Sequence, residues 1–187
     1  SSVDTWSLVF YRGVIPFFTV LIGMLIIYKL NFFNMLLNSG YHGLIYIFTF
    51  SVTNVTFVVS IQNTSVANTL VMIALAPMLS AILGAIFLKE MPDKKTWVAI
   101  AVTFIAAVYI FYDSLKLGSI YGDVLGFITA LGLAVGAVTI RSAKRKNLVP
   151  AAVVGKLFVA IFAMFFIETY VLTDLDLLIV PLMCVMC

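Results

Sequence analysis

Apolar runs of membrane length follow one another along this chain and leave little polar sequence to cover them. A helix that crosses a bilayer needs about 20 mostly apolar residues. Six runs meet that measure: Gly13 to Leu30, Gly43 to Ile61, Ser65 to Leu88, Trp97 to Tyr112, Ile120 to Ile140 and Ala151 to Val171. A seventh begins near Leu177 and continues to Cys187. The expected fold class is all-α: a polytopic membrane helical bundle. Buried helices of a soluble domain are the alternative, but 64% of the 187 residues are hydrophobic and only 10% charged. A soluble domain carries about 25% charged residues, and here too few polar residues remain to form its surface.

Charge placement sets an expected orientation. Short links such as Gln62-Asn63-Thr64 force antiparallel neighbours. One set of loops then holds Lys29, Lys89, Lys94, Lys95, Arg141, Lys144, Arg145 and Lys146, and the other holds Arg12 and Lys116, with Lys156 inside the sixth run. Cytoplasmic loops carry the excess of Lys and Arg. The loops at 29–42, 89–96 and 141–150 are therefore expected in the cytoplasm, and residue 1 outside. No signal peptide precedes the first run, so the expectation is a piece of a longer protein with one more helix before Ser1. The net charge of +3 falls between apolar runs and forms no basic helix, which excludes a nucleic-acid partner. The bilayer itself is the first partner expected.

Little in the sequence points to bond-making chemistry. Cys184 and Cys187 can be read as a redox pair, half a metal site or a prenylation box. With no second Cys/His cluster, two free thiols in an apolar helix is the better reading. His42, the single histidine, reads as a loop residue facing solvent. There is no serine–histidine, HExxH or paired-carboxylate constellation, which counts against an enzyme. No cofactor and no metal are expected. Asp113, Asp123 and Glu168 fall near helix ends, so no carboxylate stands out as a proton carrier.

Polar residues within the runs are another matter, because they are costly in a bilayer and face a bundle interior or a water path. Tyr46, Phe50, Thr53, Asn54 and Phe57 share one face of the second run. Ser65, Asn68, Thr69, Met72, Ala76 and Ser80 share one face of the third. Facing each other, the two stripes would make an uncharged, mildly polar pocket; hydrogen-bond glue between helices is the plainer alternative. Lys156 lies about a turn and a half into the sixth run, where it can snorkel to the interface. Pro77 lies halfway along the third run and would free the carbonyl of Ile73. It reads either as a hinge or as a packing kink. Pro16 and Pro150 sit near expected helix starts, where proline costs little. In the fifth run Gly122, Gly126, Thr129, Gly132 and Gly136 form a stripe that lets another helix approach closely. That stripe reads as packing within the chain, while a homo-oligomer stays open.

Three stretches together resemble the drug/metabolite transporter superfamily, EamA type. APMLSAILGAIFLKEMPDKKTWVAIAVTFIAAVYIF is similar to the family's helix with an internal proline (Pro77), a terminal glutamate (Glu90), a short cytoplasmic turn and the next helix. GDVLGFITALGLAVGAVTIRSAKRKN resembles the Gly-led start of the family's second repeat. WSLVFYRGVIPFFTVLIGM resembles the family's second helix, opened by Arg12. The resemblance implies two five-helix inverted repeats, with residues 1–116 as helices two to five and residues 117–187 as helices six, seven and part of eight. It sets Arg12 opposite Lys156. It also implies transport of small organic metabolites or drugs across the inner membrane by alternating access, with export the expected direction. Arg12, Tyr46, Asn54, Asn68, Thr69 and Lys156 are then the substrate-cavity candidates, and Pro77 the hinge. A membrane-embedded enzyme or assembly subunit without transport is the rival reading.

Overall fold

A computed structural model of the chain describes residues 5–28, 31–117, 120–144 and 146–165. Seven helices are present among them: α1 (Thr5–Tyr28), α2 (Asn31–Asn63), α3 (Val66–Ile73), α4 (Ala76–Phe87), α5 (Lys94–Leu117), α6 (Ile120–Ser142) and α7 (Val149–Met164). No strand occurs among the described residues, and the chain is an all-α bundle of apolar helices. The spans Asn34–Asn63, Val66–Phe87 and Ile120–Ser142 are long and apolar enough to cross a membrane. Large apolar side chains stand exposed along α5, among them Val98, Val102, Ile105 and Tyr109. Lipid solvates such a face; water does not.

Several boundaries differ from the apolar ruler. α1 starts at Thr5 rather than Gly13, because Trp6, Leu8, Val9 and Phe10 extend the helix on the far side of Arg12. Pro16 consequently lies inside α1, not near its start. Residues 31–42, expected as a loop, belong to α2. Asn31, Asn34, Asn38 and Ser39 lower the hydropathy there without preventing a helix. The helix kinks at Gly40, whose φ of 56° is left-handed backbone that glycine adopts without steric cost. The third run is two helices, α3 and α4, and α7 runs to Met164, with residues 166–171 of the sixth run outside the described residues. Glu168, the run after Leu177, Cys184 and Cys187 lie outside the described residues.

The chain divides into two compact units. Residues 1–51 and 145–187 make unit 1, in which α1 packs along α7. Gly13 permits this: a Cβ there would lie 2.8 Å from the backbone nitrogen of Ala160. Buried Met24 and Val153 close the contact with Phe17 and Leu21. Pro150 opens α7 in its first turn, where its missing N–H is not needed. Residues 52–144 make unit 2. Here α3, α4 and α5 all contact α6, over a core of Met72, Leu75, Ala76, Met78, Ile100 and Ala130.

Candidate functional site

In unit 1, α2 and α7 bring two of the candidates together. Gly155 of α7 leaves room for Phe50: a Cβ at Gly155 would lie 2.9 Å from that ring. The Ser51 hydroxyl donates to the Ile47 carbonyl at 2.7 Å and lies 3.1 Å from that of Gly155. With the backbones this close, the Lys156 ammonium sits 5.2 Å from the Phe50 ring centroid. Tyr46, one turn before Phe50, stacks on it with centroids 5.7 Å apart and planes 25° apart. A cation over the face of an aromatic ring is attracted by the ring quadrupole. Lys156 is thus held against the Tyr46–Phe50 pair. Arg12 lies on α1, but its side chain is outside the described residues.

In unit 2, hydroxyl groups form a ladder between α2 and its neighbours. Thr56 Oγ1 is 2.8 Å from Thr129 Oγ1 of α6. Ser60 Oγ donates to the Gly122 carbonyl at 2.7 Å and is 2.9 Å from Thr69 Oγ1. Thr64 Oγ1 donates to Asp123 Oδ1 at 2.7 Å. Small residues of α6 make this possible. A Cβ at Gly122 would fall 2.6 Å from Thr64 Cβ and 2.7 Å from the Asn63 backbone. One at Gly126 would meet Met72 and Ser60 at 3.1 and 3.2 Å. Gly136 is buried and Gly132 half-buried. Asn68 donates through Nδ2 to Thr64 Oγ1 at 3.4 Å, while Asn54 is half-buried on α2. Thr69 is fully buried.

Sequence reasoning missed this ladder. It followed Tyr46, Phe50, Thr53, Asn54 and Phe57 along α2 but passed over Thr56 and Ser60, which lie three and seven residues on from Thr53 and continue along the same side toward Thr64. That continuation, together with the glycines of α6, was the available signal. Asp123 was missed as well. It is fully buried rather than sitting at an open helix end, because the α2–α3 turn packs directly on the first turn of α6.

The third crossing breaks at Ala74–Leu75, ahead of Pro77. The Ala74 amide still bonds the Leu70 carbonyl, at 2.9 Å, but the Leu75 amide shortens to Met72, at 3.1 Å. Pro77 then falls in the first turn of α4, not halfway along a continuous helix. A proline is accommodated there without losing a needed donor. Farther along α4, Arg141 of α6 forks across the helix. Its Nη2 donates to Ser80 at both the carbonyl (2.8 Å) and the hydroxyl (3.0 Å), and its Nη1 donates to Glu90 Oε2 at 3.0 Å. Gly84 clears the space, since a Cβ there would lie 2.8 Å from the guanidinium. Ser80 therefore serves an inter-helix clamp.

No group of three or more His, Cys, Asp or Glu that could hold a metal ion occurs among the described residues. No curated protein and no solved structure matches the chain. The model of the EamA-like transporter family matches residues 1–112, from before α1 into α5. With more than half of its length so matched, the chain belongs to the EamA-like transporter family, whose members are membrane transporters of small molecules.

Proposed function

We propose that the chain exports small organic metabolites or drugs across the inner membrane by alternating access. The observation that supports this mechanism is the tightened turn at Ala74–Leu75, just ahead of Pro77, within an otherwise apolar crossing. Discontinuous helices recur in transporters, where a local break lets one half-helix move against the other. Tyr46, Phe50 and Lys156 offer a substrate two ring faces and a cation. Arg12, on α1 of the same unit, is proposed to join them, and Asn54, Asn68 and Thr69 are proposed as separate substrate contacts within the other unit.

The test is counterflow in proteoliposomes holding the natural full-length protein, screened against a panel of organic solutes. Wild type should accumulate labelled solute, and Lys156→Ala and Tyr46→Ala should each lower uptake about tenfold, the loss of one well-made contact. If no solute in a broad panel moves, the transport reading fails. If a solute moves equally well in both variants, transport stands but this site assignment does not.

A further inference from the structure

Asp123 has no place in the substrate reading. It lies in the first turn of α6 and is fully buried. Its Oδ1 accepts the Thr64 hydroxyl, but its Oδ2, also buried, has no hydrogen-bond partner. Among the described residues the groups bonded at this end of α6 are uncharged: Thr64 directly, Asn68 behind it, and Ser60, itself bonded to Thr69, on the Gly122 carbonyl. Among the described residues no basic side chain pairs with Asp123. The N-terminus of α6 offsets part of a carboxylate charge, but it gives Oδ2 no donor. A buried carboxylate left in that condition is costly, and more so within a bilayer.

The missing element is a single positive charge. The polar groups gathered at Asp123 are oxygens: its own carboxylate and the Thr64 hydroxyl, with the Ser60 and Thr69 hydroxyls nearby on the Gly122 side. That is the donor set of a hard cation. One carboxylate balances one unit of charge and would leave a divalent ion in excess. We propose that Asp123 and Thr64 anchor a monovalent-cation site, filled by a proton or a sodium ion, where α2, α3 and α6 meet. The site goes beyond the transport reading and stands whether or not a substrate moves.

The experiment measures the unfolding temperature of the natural full-length protein in lipid nanodiscs. In a sodium arm, NaCl replaces choline chloride at fixed pH and ionic strength. In a proton arm, pH falls from about 8 to about 5 in choline alone, spanning the range over which linked proton binding is read. A ligand that binds only the folded state raises the unfolding temperature with its concentration. A rise in the sodium arm that Asp123→Asn abolishes identifies sodium. A rise confined to the proton arm and abolished by the same variant identifies the proton. A flat response in both arms, or a rise that Asp123→Asn retains, overturns the site. If Asp123→Asn does not fold, Thr64→Val decides: a weakened rise supports the site, and one equal to wild type overturns it.

Discussion

Asp93 shows how one side chain fixes where a helix begins. It precedes α5, and its Oδ1 accepts both the Thr96 amide, at 2.9 Å, and the Thr96 hydroxyl. The Thr96 hydroxyl first, and its amide second, hold the Asp93 carboxyl below its ordinary value. A depressed carboxylate stabilises the folded turn above its unfolded pKa of about 3.9. That support is lost as pH falls through the lower folded value. Protection of the Thr96 amide, taken relative to its intrinsic exchange rate at each pH, should therefore hold down to about pH 4 and fall below it. Asp93→Ala should speed exchange at every pH, and Asp93→Asn should keep protection but remove the acid transition; equal protection in the alanine variant would refute the cap. Arg141 sits at the same scale. Arg141→Lys keeps the charge but loses the fork. Because the group is well exposed, the loss of stability should be only about 1 kcal/mol, read by thermal unfolding. The Asp93 turn was legible as a turn in PDKK, whereas Asp123 was not. Burial of Asp123 depends on a turn 59 residues away closing over it, and no local pattern carries that.

At the scale of elements, the apolar runs located the helices because membrane helices need length and hydropathy above all. They misplaced breaks, which depend on backbone geometry. Asn31 to Ser39 is too polar for the ruler yet helical, and the kink at Gly40 was invisible to it. The break at Ala74–Leu75 was expected at Pro77 because the proline is the visible cause, although its effect falls on the residues before it. Replacing Pro77 with Ala should let α3 and α4 fuse, slowing transport in proteoliposomes while leaving the protein folded. Transport at the wild-type rate would remove the hinge from the mechanism. Glycines divide in a similar way. Gly122→Ala forces a methyl group into the α2–α3 backbone and should cost about 1–3 kcal/mol. Gly23→Ala, with nothing within 4 Å of its new methyl, should be neutral or stabilising by up to about 1 kcal/mol. Unfolding in mild detergent compares the two; equal effects would show that the close approach at Gly122 is not tight.

For the whole molecule, sidedness rests on charge, since the packing of helices does not distinguish one face of a membrane from the other. Eight Lys and Arg fall on one set of connections and the helix ends beside them, and two on the other. Such a bias predicts that the first set lies inside. The α4–α5 turn should then be cytoplasmic and the α2–α3 turn outside. Met91 and Gln62 report on each, because both are exposed and neither makes the clamp or the ladder. In a background with Cys184 and Cys187 replaced by Ser, an impermeant maleimide applied to intact spheroplasts should label Gln62→Cys and spare Met91→Cys. Permeabilised cells should label both. Replacing Lys89, Lys94 and Lys95 with Gln should add an inverted population, because it removes three of the eight charges that hold the orientation. Labelling of Met91→Cys in intact spheroplasts with those lysines present would invert the assignment. It would put the Arg141–Glu90 clamp at the outer end and the Asp123 carboxylate at the inner one, so that a cation would reach it from the cytoplasm.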